Sequence, residues 1–216
     1  MPNTLSRNDD IKVWPLWLRC FHWLLVAAFL ISYLTGDDYR QIHVWSGYLI
    51  IALLLLRIGL GLLSSGFASL RGWFCSPRQA VGYLGGLLRG DGRRYLGHNP
   101  AGACMSLALV LTLSVTLGTG LALHGVHGAG PLAVVMDAQN SAQPDASTKS
   151  SHEHDHEDEE EEDAAEEFWE ELHELFVNIS LALVILHILG VLASSWRHRE
   201  NLPKSMLSGR KKRLPE

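Results

Sequence analysis

Apolar residues gather into four long runs, 14–34, 44–63, 103–123 and 172–196, divided by polar connections. Each run has the ~20 residues that an α-helix needs to cross ~30 Å of hydrocarbon. Backbone groups in lipid must be satisfied within the segment, and runs of this length and apolarity predict helices. The stretch 80–88 is also apolar but is short and rich in glycine, so it is expected to lie along the interface. The first run is too long for a signal-peptide core, contains Arg19 and His22 and lacks a small-residue cleavage site, so it is expected to stay in the mature protein. The pattern predicts an all-α integral membrane four-helix bundle.

Composition agrees, with 47% hydrophobic residues in 216. The formal net charge of −5 means little until it is divided between the two sides of a bilayer. With four spans, both termini and the second connection share one side, and that side has fifteen of the eighteen basic residues. The positive-inside rule then places both termini in the cytoplasm. Eighteen of the twenty-three acidic residues fall on the opposite side, making the outer face strongly negative. Cys20, Cys75 and Cys104 have no spacing that suggests a disulfide or a zinc site. No Cys-x-x-Cys-His occurs, which excludes covalent c-type haem attachment.

Against this background the histidines stand out. His22 lies in the first span, His43 opens the second, His173 opens the fourth and His187 lies within the fourth. Neighbouring spans run in opposite directions, so His22 and His187 fall at one depth near the cytoplasmic side, and His43 and His173 at another near the outer side. His173 and His187 are fourteen residues apart, ~40° short of whole turns and separated by a rise of ~21 Å, so both lie on one side of their helix. Two depth-matched imidazole pairs suit two haems, each ligated on both faces, with no position left for oxygen. Histidines that bond between helices or shuttle protons would be the plainer explanation of any one of them.

Arg57 sits inside the second span, where an arginine costs ~2.5–3.5 kcal/mol on insertion scales. No Asp or Glu lies in a span core to neutralise it, and a propionate of the inner haem is a candidate anion. Arg19 could reach a propionate of the same haem or snorkel to the surface. Gly47, one turn after His43, would let the backbone approach either a porphyrin or another helix. Gly118 and Gly120 read as ordinary small residues of a membrane helix.

These residues carry a resemblance. Val13-Trp14 is followed by Arg19-Cys20-Phe21-His22-Trp23, then by His43-Val44-Trp45-Ser46-Gly47-Tyr48 and Leu56-Arg57. Tyr95-Leu96-Gly97-His98-Asn99-Pro100, Leu172-His173-Glu174, His187 and Arg199-Glu200-Asn201-Leu202 come after. From Val13 to Arg213 the chain resembles the bacterial cytochrome b561 and nickel-hydrogenase b-type cytochrome superfamily. The resemblance implies a dihaem cytochrome of the bacterial inner membrane, with two haem b groups held at the positions of His22, His43, His173 and His187. It also implies electron exchange with membrane quinone and with a periplasmic redox partner, a c-type cytochrome or a hydrogenase-like enzyme of which the chain would be the cytochrome b subunit. His98 belongs to a family motif and is expected to order the loop at the interface.

The membrane domain is thus expected in 1–123 and 168–216, with an insertion at 139–167 that departs from the family. His152, His154 and His156 alternate there with carboxylates and lead into an unbroken acidic run, 157–163. Such a composition cannot bury a core and predicts a disordered, solvated loop, while 164–174 extends the fourth helix outward. The loop could bind a divalent transition metal loosely or serve as an acidic tether for a basic partner. His124 and His127 could join a metal site or compete as outer haem ligands. A divalent metal-ion transporter is therefore the rival function, although its spans would be expected to contain hard ligands. A membrane anchor for a redox enzyme is a third reading. A second copy of the chain is a further candidate partner, and nothing points to nucleic acid.

Overall fold

The computed structural model describes residues 10–36, 38–64, 69–73, 76–90, 95, 97, 99–134 and 151–212. Among them are six α-helices: α1 (Leu16–Leu34), α2 (Arg40–Leu63), α3 (Pro77–Arg89), α4 (Pro100–Val126), α5 (Ser151–His198) and α6 (Leu202–Ser208). A single 3-10 turn, Leu70–Trp73, lies between α2 and α3. Four helices, α1, α2, α4 and the 163–198 part of α5, are long and apolar enough to cross a membrane. Four such helices in one chain make it an all-α, multi-pass architecture. Its exposed side chains include Leu24, Leu55, Leu111 and Ile185, and the largest fully buried ones are Arg57 and Ser180. Apolar side chains on the outside of spanning helices are what a bilayer solvent selects, and a polar side chain such as Arg57 is kept from it.

The chain divides into two compact units, one of 1–110 and 183–216, the other of 111–182. In the first, α1 and α2 form a tight antiparallel hairpin. Pro15, fixed in an extended conformation, precedes α1, and the Thr35 hydroxyl closes its other end by donating to Ile31 O at 2.7 Å. The segment expected at the interface is α3, started by Pro77 and ended by Gly90 in the left-handed region. Ala80 and Tyr83 are buried and Val81 and Leu84 exposed, so this short helix is apolar on both its protein side and its outer side. Part of the Tyr95–Pro100 motif is a helix start. The Asn99 side chain accepts from Gly102 N at 2.7 Å and Pro100 occupies the first helical position of α4. His98 and Cys75 lie outside the described residues.

The two terminal segments pair with each other. Strand β1 (Asp10–Lys12) runs antiparallel to β2 (Arg210–Lys212), with Ile11 opposite Lys211. This small ribbon adds to an otherwise all-α fold. It is held by α6, whose first turn is capped by Asn201 accepting from Lys204 N at 2.8 Å. Gly209 ends α6 at φ +77° and its carbonyl accepts from Val13 N and Trp14 N. A Cβ at Gly209 would come 2.7 Å from Trp14 O, so the junction requires glycine for both its φ and its space. Val13, Trp14 and Leu18 form a small core there.

The second unit holds the larger departure from expectation. The acidic run predicted to be disordered is helical from Ser151 onward, and α5 is 48 residues long, about 72 Å at 1.5 Å per residue. Extending an existing helix avoids the cost of nucleation. Glutamate and alanine are good helix formers, and carboxylates near the N-terminus oppose the positive end of the macrodipole. The first part of the insertion, 139–150, lies outside the described residues, as do the side chains of His152, His154 and His156.

Candidate functional site

Five side chains singled out from the sequence belong to the first unit together with Gly47: Arg19, His22, His43, Arg57 and His187. The His22 and His187 imidazoles are both half-buried, and His187 lies near enough to act electrostatically on His22. His22 also meets Trp23 edge-on, with ring centroids 5.4 Å apart. The inner pair proposed from depth alone is therefore brought together.

His43 is fixed by the end of α1. Its Nδ1 lies 2.9 Å from Ser32 O and 3.3 Å from the Ser32 hydroxyl. A carbonyl oxygen only accepts, so Nδ1 carries a proton and Nε2 is the ring nitrogen suited to ligate a metal. An acceptor on the far nitrogen is how proteins orient and strengthen a metal-ligating histidine. Ser46, one turn on, is buried and donates to His43 O at 2.8 Å. Among the described residues a Cβ at Gly47 would meet nothing within 4 Å.

In the second unit His173 is held in the same way. Its Nδ1 lies 3.0 Å from Thr116 O and 3.1 Å from Thr119 Oγ1. The Thr119 hydroxyl donates to Thr116 O at 2.9 Å and so can accept from the ring, and Nε2 is again the nitrogen suited to ligate. A Cβ at Gly120 would stand 2.9 Å from His173 Cε1 and 3.2 Å from Nδ1. Gly120 is thus the seat of the imidazole, not merely a small residue between helices. Below it, Ser180, with none of its surface exposed, lies 3.2 Å from Thr116 Oγ1. Since Thr116 donates to Thr112 O, Ser180 is the donor of that pair. The sequence reading missed Ser32, Thr116, Thr119 and Ser180. Hydroxyl residues on apolar spans are their only signal, and it does not say which ring they hold.

Arg57 is 2% exposed. Its guanidinium lies over the Trp73 ring, 4.5 Å from Cζ to centroid, and 5.9 Å from that of Trp17. Its Nη1 has no hydrogen-bond partner among the described residues, and neither does the indole Nε1 of Trp73. Arg19 is engaged elsewhere in part: it donates to Leu207 O, tying α1 to the C-terminal segment, while its buried Nε has no partner among the described residues. Two aromatic faces ease the burial of a guanidinium but do not supply a counter-charge. An orphaned cation, orphaned N–H donors and oriented imidazoles fit a flat iron complex that bears carboxylates.

The model of the prokaryotic cytochrome b561 family matches residues 13–209. The chain belongs to that family. No curated protein and no solved structure matches it. As a member, this cytochrome transfers electrons across a membrane by means of b-type haem, and the donor set above has the chemistry such a group requires.

Two further histidines of the cytochrome have defined surroundings. His127 has Nδ1 2.7 Å from Leu123 O and Nε2 2.9 Å from Glu166 Oε1. Both ring nitrogens are thus committed, which removes His127 as a competing ligand in this arrangement. His198 lies 3.3 Å from the Tyr83 hydroxyl through Nε2, and Tyr83 lies 3.3 Å from Ser194 Oγ. These contacts pin α3 to the end of α5. Among the described residues no group of three His, Cys, Asp or Glu side chains is arranged to hold a metal ion.

Proposed function

We propose that this cytochrome holds two haem b groups, one between His22 and His187 and one between His43 and His173, and passes electrons between membrane quinone and a periplasmic redox partner. The observation that carries the reading is the treatment of the outer histidines. Each has Nδ1 bound to a backbone carbonyl, so that Nε2 is the ligating atom. With both axial positions taken by imidazole, the haem supplies one-electron chemistry and offers oxygen no site. The protein's contribution is to fix the rings, to exclude water with lipid-facing leucines and isoleucines, and to neutralise a propionate with Arg57. Gly47 leaves room for a porphyrin beside α2.

The distribution of basic residues supports placing the termini on the cytoplasmic side of the bacterial inner membrane. The inner pair is then near the cytoplasm and the outer pair near the periplasm. On this topology residues 151–171 of α5 project outward by about 32 Å. A helix rich in carboxylates there would gather a basic partner, such as a positively charged c-type cytochrome, by electrostatic steering. The same face suits docking to a redox enzyme of which the chain is the cytochrome b subunit. Metal-ion transport is the less favoured function, because no Asp or Glu lies in a span core and His127 is paired with Glu166.

The test is a reduced-minus-oxidised spectrum of the purified protein together with its haem-to-protein ratio. Two b-type haems per chain are expected, and His43→Leu should remove one while the inner pair keeps the other. A protein that folds without a b-type band would end this reading.

A further inference from the structure

Arg57 is not the only buried donor without an acceptor at its end of the first unit. Trp73, 7% exposed, stacks under the guanidinium, and its indole N–H has no partner among the described residues. Leaving two neighbouring buried donors unsatisfied is costly, and aromatic stacking engages the face of the indole, not its N–H. Gly61 shows that the arrangement is built. A Cβ there would collide with Arg57 Nη1 and stand 2.6 Å from Leu70 Cγ, so the glycine one turn after Arg57 gives the guanidinium its space. The 3-10 turn that presents Trp73 packs against α2. An apolar enclosure with two N–H donors and one fixed positive charge suits an oxyanion that accepts from both.

We infer that Trp73 Nε1 and Arg57 Nη1 form one carboxylate seat, with Gly61 as its floor, and that its occupant is a propionate of the inner haem. The assignment rests on the two-haem reading above. A phosphate oxygen of an anionic lipid headgroup has the same acceptor chemistry and is the other source of such an anion. Trp73 is a cofactor-binding residue in this assignment, and its N–H lowers the negative charge felt at the iron, favouring the ferrous state.

The experiment compares wild type with Trp73→Phe, which keeps an aromatic face for Arg57 and removes the N–H together with part of the ring; the diester arm below separates the two. Haem content is measured first, then each haem is titrated potentiometrically. A full complement of haem is expected in both proteins, with the inner haem of Trp73→Phe shifted about threefold toward ferric at fixed potential, a small part of what a hydrogen bond to a charged group contributes. The outer haem should be unmoved. Both proteins are then stripped of haem and reloaded with haem b dimethyl ester, whose propionates cannot be anions, and here the difference should vanish. If it persists with the diester and disappears on exchange into lipid-free detergent, the anion is a lipid phosphate and the propionate assignment is overturned. Equal inner potentials in the two haem-loaded proteins would overturn the seat itself. A wild type without haem would overturn the two-haem reading on which the assignment stands.

Discussion

Replacing Gly120 by alanine should release the outer haem from a protein that still folds. The new Cβ would lie 2.9 Å from His173 Cε1 and 3.2 Å from Nδ1, whereas carbon atoms in contact sit about 3.5–4.0 Å apart. The ring must therefore withdraw by roughly 0.6–1 Å, which strains its bonds to Thr116 O and Thr119 Oγ1. Overpacking of this kind costs ~1–3 kcal/mol, more than the ~0.5–1 kcal/mol that alanine gains over glycine in a helix interior. Losing the orienting bonds of a metal-ligating histidine typically costs ~10–100-fold in metal affinity. Gly118→Ala is the control, because a Cβ at Gly118 would meet nothing within 4 Å among the described residues and the helix-propensity gain should stand alone. Haem content by pyridine haemochrome and redox titration reads the outcome. Gly120→Ala should fall toward half the wild-type haem per chain, with Gly118→Ala at the wild-type value. Full haem content and an unchanged potential in Gly120→Ala would refute the role given to this glycine.

Thr119→Val keeps the shape beside His173 and removes the hydroxyl. It should lower outer-haem affinity by about tenfold, seen as haem loss on dilution, and equal retention by the two proteins would count against orientation through Nδ1. Arg57→Met removes a buried charge that costs ~2.5–3.5 kcal/mol to insert. The haem-free protein should melt higher than wild type and the haem-loaded protein should bind its inner haem less well. A variant destabilised equally in both forms would show that Arg57 serves packing alone. If the acidic part of α5 steers a basic cytochrome, electron delivery should slow between about 50 and 200 mM salt as the Debye length shortens. Deleting 151–162 should abolish that dependence, and a salt effect of the same size after deletion would assign the steering to another surface.

The sequence by itself determined the class of structure and the chemistry to look for. Runs of twenty apolar residues can only be satisfied as spanning helices in lipid, and the helix period converts the spacing of His173 and His187 into shared side and separate depth. Arg57 was legible for the same reason, since a cation with no carboxylate in any span core points to an anion from outside the chain. The acidic insertion was misread where it continues α5, because composition reports the cost of starting a helix and an adjoining span had already met that cost. Only the tertiary structure decided how the rings are held. Ser32, Thr116, Thr119 and Ser180 look like any hydroxyl on a membrane helix until the approach of a second segment shows which acceptor faces which nitrogen. Gly120 and Gly61 are equally silent in one dimension. Their meaning is the space they leave for His173 and Arg57, and space of that kind exists only once two segments have packed.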